Sequence, residues 1–212
     1  MDYRIRHIVE AKRMSAGQLM VIFAGEIYIT DRRQLNVSLF FGNGIEDSGV
    51  FLMEAFMYRH HPQIHKVRDL IDDGAIGKVS HIYGQFTFPV DSESENWRAR
   101  KEPGGGSMMD QGCYMVNALN YFAGFPAKEV FCKTTLYEKT GLDISHAGTI
   151  VYSNEIVGQF ISNQRAIWRE TLEVCGSTGA IVIPTLILTV GQPRYILLQR
   201  QDSNEDERAK DA

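Results

Sequence analysis

The stretch Gly148-Thr149-Ile150-Val151-Tyr152-Ser153-Asn154-Glu155-Ile156-Val157-Gly158-Gln159-Phe160-Ile161-Ser162 decides the fold. Two runs rich in β-branched and aromatic residues flank a polar Ser-Asn-Glu reversal, so 148–152 and 156–162 read as a β-hairpin. The pattern repeats outward. Downstream, 171–175 and 180–183 flank the tight turn Gly176-Ser177-Thr178-Gly179, and 187–190 and 195–198 read as two last short strands. Upstream, 129–137 is a strand. Residues 79–88 alternate, with Ile82, Phe86 and Phe88 on one face and His81, Tyr83 and Gln85 on the other. An apolar run at 50–57, interrupted by Glu54, reads as a strand buried on both faces. Helical signals are fewer. Pro62 suits a first helical position, Val67, Leu70 and Ile71 make a stripe, and Gly74 ends it. Residues 114–122 read as a second helix. Hairpin-connected strands with two helices define an α+β domain, an open, mostly antiparallel sheet with helices on one face.

The 212 residues, 44% hydrophobic and 23% charged, fit one sizeable domain or a domain with an appendage. A net charge of −4 argues against a general nucleic-acid surface. No apolar run is long enough to cross a bilayer. Residues 19–25 are apolar, but Glu26 follows and no small-residue cleavage site appears, so no secretory signal is read. Cys113, Cys132 and Cys175 are odd in number, widely spaced and set among apolar residues. They read as reduced core thiols of a cytoplasmic protein, not as a disulfide or zinc framework.

Residues 1–47 are an atypical leader, with mixed charges over 1–15, a β-prone patch over 18–30 and a turn at Gly42-Asn43-Gly44. Gly17, Gly25, Gly42 and Gly44 do not form G-x-G-x-x-G after a strand, so a complete nucleotide-binding unit is not expected there. Residues 48–198 carry the α+β domain. Residues 199–212 are polar and are expected to fray.

Chemistry-bearing residues gather around Gly104-Gly105-Gly106-Ser107-Met108-Met109-Asp110-Gln111-Gly112-Cys113-Tyr114. Three glycines let backbone pass close to a neighbour. Asp110 and Tyr114, four apart, would share one helical face as a proton-handling pair; an aspartate at a helix start, favoured by the dipole, explains the same residues. Arg59 ends an apolar run, where it could hold an anion or form a surface ion pair. Asn96-Trp97-Arg98 puts a large aromatic in a polar loop, which anchors the loop or lines a cleft. His61 and His65 are four apart, but no carboxylate or cysteine accompanies them at a standard ligand spacing, so no metal site is read. Asp143 and His146, three apart before a strand, read as loop capping.

Several of these motifs together resemble the glucose–fructose oxidoreductase / inositol dehydrogenase (GFO/IDH/MocA) family. They are Met53-Glu54-Ala55-Phe56-Met57-Tyr58-Arg59-His60-His61-Pro62-Gln63, Gly74-x-Ile76-Gly77-x-Val79, Asn96-Trp97-Arg98, the Gly104–Asn117 pattern, and Val174-x-Gly176-Ser177-x-Gly179. The subgroup looks like dihydrodiol and D-xylose dehydrogenases, and the likeness covers about residues 48–198. It implies a C-terminal domain of the dihydrodipicolinate-reductase type, which supplies much of the substrate pocket and usually the oligomer interface. It implies NAD or NADP as cofactor and a sugar or diol as substrate. By resemblance, Tyr114 carries the acid/base proton and Asp110 orients substrate or tunes the tyrosine. Arg59, Trp97 and Arg98 fall near the nicotinamide end of the cofactor.

Departures from the family are equally definite. Its glycine motif is absent, as is the Glu-Lys-Pro motif that precedes the Met-Glu-Ala-Phe run and supplies a lysine. The chain also stops earlier than the family does. These departures imply a catalytic-domain fragment behind an unrelated leader, weak in cofactor binding and inactive by itself. The alternative is a non-catalytic oligomerisation or scaffold module built on the sheet face.

Overall fold

The computed structural model describes residues 56–100, 105–187 and 195–200, together with backbone strands at 8–13, 19–23, 26–30 and 207–210. The chain divides into Met1–Phe56 and Met57–Ala212. In the first unit, the β-prone patch becomes a hairpin of β2 (Leu19–Phe23) and β3 (Glu26–Thr30). β1 (Ile8–Arg13) pairs antiparallel with β2, in a segment whose mixed charges carry no clear strand pattern. The Gly42-Asn43-Gly44 turn lies outside the described residues, as does nearly all of the strand expected at 50–57. Met57 itself opens a 3-10 turn, Met57–His60.

The second unit is built on one sheet. Its strands are β4 (Val79–Thr87), β5 (Ala127–Leu136), β6 (Asp143–Tyr152), β7 (Val157–Asn163), β8 (Arg169–Gly176), β9 (Gly179–Ile183), β10 (Tyr195–Arg200) and β11 (Glu207–Lys210). They lie in the order β11-β10-β9-β8-β4-β7-β6-β5. Every neighbouring pair is antiparallel except β4 with β7. The β6–β7 hairpin closes as its sequence requires, with Val151 opposite Val157 and Glu155 taking the positive-φ turn position at 67°. Strand β6 begins earlier than expected, so Asp143 and His146 lie within it and not in a capping loop. Part of the polar tail pairs with β10 as the edge strand β11.

Alternation decides which face is covered. Ile82, Phe86, Leu172, Val174, Ile181, Ile183, Ile150 and Tyr152 are all buried. Helix α2 (Cys113–Ala123) buries Met115, Ala118, Leu119 and Phe122. Glycine permits the contact: a Cβ on Gly84 would lie 3.0 Å from Met115 Sδ, and one on Gly158 would lie 3.2 Å from Leu119 Cδ1. Each large apolar side chain buried this way contributes about 1.5–3 kcal/mol. Helix α1 (Pro62–Asp72) starts at Pro62, as its sequence indicates, and His61 caps it by accepting from Gln63 N at 3.3 Å. Gly74, at φ 76°, ends it: Ala75 N donates to Leu70 O and Gly74 N to Ile71 O, which is a Schellman closure. Buried Gln63 ties the helix to the sheet side through Thr185 O at 2.9 Å.

The three cysteines are free, but Cys132 is exposed and Cys113 and Cys175 are only half-buried, which corrects their reading as core thiols. Cys132 sits on the edge strand β5, all of whose residues are exposed. Among the described residues, no helix is long and apolar enough to cross a membrane.

Candidate functional site

The site is assembled where the 3-10 turn Trp97–Ala99 and the turn preceding α2 come together. Asn96 caps the first turn by accepting from Arg98 N at 3.0 Å. Two glycine amides then hold the turn to the following segment: Gly105 N donates to Arg100 O at 3.1 Å and Gly106 N to Arg98 O at 3.0 Å. Gly106 has φ 99°, so the chain reverses there without a Cβ penalty.

Next, Met108–Gly112 winds as a single π turn before α2 begins. A wider turn shifts its residues around the helix axis relative to ordinary α-helical spacing. Asp110 lies within this turn and Tyr114 on the first turn of α2 that follows. Asp110 is bound by Arg98, whose Nε lies 3.1 Å and 2.9 Å from the two carboxylate oxygens. The Asp110 side chain is 8% exposed and that of Arg98 35%. Burial pushes Asp110 above the usual carboxylate range, and the Arg98 charge offsets this only in part.

Tyr114, half-buried on the first turn of α2, directs its hydroxyl at Met57 Sδ, 3.8 Å away. Its ring lies 6.5 Å from that of Tyr58 and 5.6 Å from that of Phe86. The aromatic chain continues from Phe86 to Phe88 at 5.3 Å, and Arg98 lies over Phe88 at 5.9 Å and over Trp97 at 4.6 Å. Tyr114 and the Arg98–Asp110 pair thus stand at the two ends of one aromatic wall. Arg59 is placed differently. Its guanidinium lies over the Tyr121 ring at 4.7 Å, beside Arg68. Tyr121 is seven residues beyond Tyr114, or about 10 Å along the helix.

Sequence reading missed three contributors. Trp168 stacks on Phe88 at 5.1 Å and meets Phe86 edge-on at 5.9 Å. It arrives from the β7–β8 loop and carries no local signal. Met57 lies in the first turn of the unit. Tyr58 is fully buried and donates to Asn117 Oδ1 at 2.6 Å, and burial raises its phenol well above the ordinary value.

A buried polar chain fixes the floor of the site. Asp143 Oδ2 accepts from Met108 N at 2.8 Å. The Ser107 hydroxyl lies 3.1 Å from Gln111 Oε1 and 2.9 Å from Ser162 Oγ, which is 3.3 Å from His146 Nδ1. Gln111 Nε2 donates to Phe88 O at 3.2 Å. Burial lowers the pKa of His146, and the Asp143 charge opposes this without reversing it. Folded His146 therefore favours the neutral ring. Its contribution is present above the ordinary histidine value and is lost as pH falls through the depressed one, each unit of depression being worth about 1.4 kcal/mol. The melting temperature should fall on acidification below pH ~6.5, and His146→Gln should flatten that slope. Equal slopes for the two proteins would remove His146 from the account.

A family model described as the GFO/IDH/MocA C-terminal domain matches residues 64–182, more than half of the chain. The D-xylose 1-dehydrogenase (NADP(+)) 2 of Haloferax volcanii is 37% identical over 109 residues, covering 51% of this chain and 33% of that protein. The trans-1,2-dihydrobenzene-1,2-diol dehydrogenase of Xenopus laevis is 33% identical over 158 residues, covering 74% of this chain and 46% of that protein. Among solved structures, a 3-ketoreductase from Actinomadura kijaniata with NADP and TDP-benzene matches with a TM-score of 0.72 at 24% identity, over 78% of this chain and 50% of that one. The chain thus spans a third to a half of these proteins' lengths.

Proposed function

Because the chain belongs to the GFO/IDH/MocA family through its C-terminal domain, we propose that it forms the substrate-side half of an NAD(P)-dependent oxidoreductase acting on a sugar, diol or related alcohol. The observation that carries this reading is the aromatic wall running from Tyr114 through Phe86 and Phe88 to the Arg98–Asp110 pair. Aromatic faces suit the C–H surface of a sugar ring, and polar groups at either end suit its hydroxyls. Tyr114 takes or returns the hydroxyl proton while the carbon exchanges hydride. Asp110 accepts from a second hydroxyl through lone pairs that Arg98 leaves open, and Arg98 fixes its direction. The names of the xylose and diol dehydrogenases support this substrate class.

NAD or NADP, when bound, supplies or accepts the hydride. The side chains present fit its nicotinamide end. Trp97 offers an aromatic face and Arg98 positive charge, whereas Arg59, over the Tyr121 ring about 10 Å along the helix from Tyr114, would meet a more distant part of the nucleotide. The 212 residues contain no G-x-G-x-x-G to cradle a pyrophosphate. On this reading, the chain by itself holds the nucleotide weakly and turns over little. Titration calorimetry with NAD and NADP should give dissociation constants no tighter than the millimolar range; micromolar binding would sink the weak-binding claim.

A second reading, the oligomerisation or scaffold module, is favoured by the uncovered sheet face, where Tyr83, Val151, Ile161 and Val182 are only half-buried. Stable association in sedimentation without any nucleotide binding would favour it over the first.

A further inference from the structure

Asp143 departs from the alternation of its strand. Along β6, Ile144, His146, Gly148, Ile150 and Tyr152 are buried on the face that α2 covers, and Tyr152 donates to Asn120 Oδ1 of α2 at 2.8 Å. Asp143 falls at the opposite parity, with Ser145 and Ala147. Its carboxylate nevertheless reaches the α2 side. Oδ2 accepts from Met108 N at 2.8 Å and lies 3.7 Å from Nε2 of buried His146. The β5–β6 ladder shows how. Thr135 lies opposite Ser145 and Leu136 opposite Asp143, so Ile144 is an extra residue on β6. A bulge of this kind bends its strand and re-aims a side chain beside it. We propose that the bulge makes Asp143 a positioning residue of the site, capping the first amide of the π turn and so fixing where Asp110 and Tyr114 stand.

Met108 opens the helical run that continues through the π turn into α2. The first amides of such a run have no partner within it. A carboxylate there accepts the hydrogen bond and places negative charge at the positive end of the dipole. Ser107, the residue at the usual capping position, makes no cap bond, and its hydroxyl faces Ser162 and Gln111 instead. The cap comes from Asp143, 35 residues along the chain.

The seat of the carboxylate is shaped by glycine. A Cβ on Gly106 would lie 2.2 Å from Asp143 Oδ1 and 2.7 Å from its Cγ, so a side chain at 106 would displace it. The same glycine joins the two halves of the site: Gly106 N donates to Arg98 O at 3.0 Å, and Gly106 O accepts from Asp110 N at 3.2 Å. Asp143 therefore packs on the residue that links Arg98 to Asp110. Its bearing on catalysis rests on the proposed function of Asp110 and Tyr114, so the test reads geometry and not turnover.

NMR of the full 212-residue chain reads the Met108 amide and the Asp110 carboxyl directly. The Met108 amide shift should follow a carboxyl titration in the wild type. Asp143→Asn keeps an acceptor of the same size, so the amide should stay protected, but that titration should vanish while His146 and Asp110 are still present to titrate. In Asp143→Ala, Met108 should exchange about 10- to 100-fold faster, the span of one hydrogen bond to a charged acceptor. The Asp110 carboxyl should move from its raised position toward the ordinary aspartate range as the turn loosens and its burial is lost. General destabilisation would instead speed exchange at core amides alike and leave Asp110 in place. If Asp143→Ala does not fold, the titration in Asp143→Asn decides. Unchanged protection of Met108 or an unmoved Asp110 carboxyl in a folded Asp143→Ala chain would overturn the proposal. So would a Met108 shift that titrates alike in wild type and Asp143→Asn. Should these results appear as expected while Tyr114→Phe leaves turnover unchanged, the proposed function alone fails, and the place of Asp143 stands.

Discussion

Tyr114→Phe is expected to lower turnover about 10²- to 10⁴-fold and to leave cofactor affinity nearly intact, the range that loss of a positioned proton-transfer group produces. The substitution is narrow. Phenylalanine keeps the ring contacts with Tyr58 and Phe86 and loses only the hydroxyl that faces Met57 Sδ at 3.8 Å. Stability should therefore change little, and any loss of rate reports on the proton. The measurement needs both halves of the enzyme. Residues 57–200 can replace the corresponding half of the Xenopus laevis diol dehydrogenase, with kcat and nucleotide affinity compared before and after the substitution. Turnover that is unchanged by Tyr114→Phe would remove this residue from the acid/base role.

Gly105→Ala should be strongly disruptive for a single-methyl change. A Cβ there would lie 2.5 Å from Trp97 O and 2.8 Å from Arg98 O, with Arg100 O closer still. All three obstacles are backbone, so no side chain can swing aside. The 3-10 turn must move, and with it the Arg98 guanidinium that holds Asp110. Overpacking of this kind costs about 1–3 kcal/mol and sometimes more. The melting temperature should fall by several degrees in the purified chain. In the chimera, substrate KM should rise as the Arg98–Asp110 pair loses its geometry. A variant that melts like wild type would show that the loop tolerates the methyl.

Much of the sheet was legible because its signals are local. The β6–β7 hairpin has its turn residues between two β-prone runs, β4 alternates over its whole length, and α1 carries Pro62 at its start and Gly74 just past its end. Features that depend on distant partners were not legible. The π turn at Met108–Gly112 has no pattern of its own, and the contact its Asp110 makes with Arg98 joins residues twelve apart. The buried chain through Ser107, Ser162, His146 and Asp143 joins two strands to a turn, and its members look like ordinary loop or strand residues when read singly. Cys132 was misread because apolar neighbours in sequence do not reveal that a strand lies at an edge. Trp168 reaches the site because β7 and β8 flank β4, which brings their connecting loop over Phe86 and Phe88.

The position of β4 has a consequence for synthesis. It is the earliest strand of the large sheet, yet its neighbours β7 and β8 are made much later, with Ile82 opposite Gly158 on one side and Val174 on the other. Pairing over such separations requires closing long loops before any contact rewards it, which slows folding. On the ribosome, β4 must therefore emerge with both edges bare. The centre of the sheet cannot close until translation has passed Gly176. Until then, Ile82 and Phe86 remain exposed in the nascent chain, and this interval is when the protein is most open to chaperones and to misassociation.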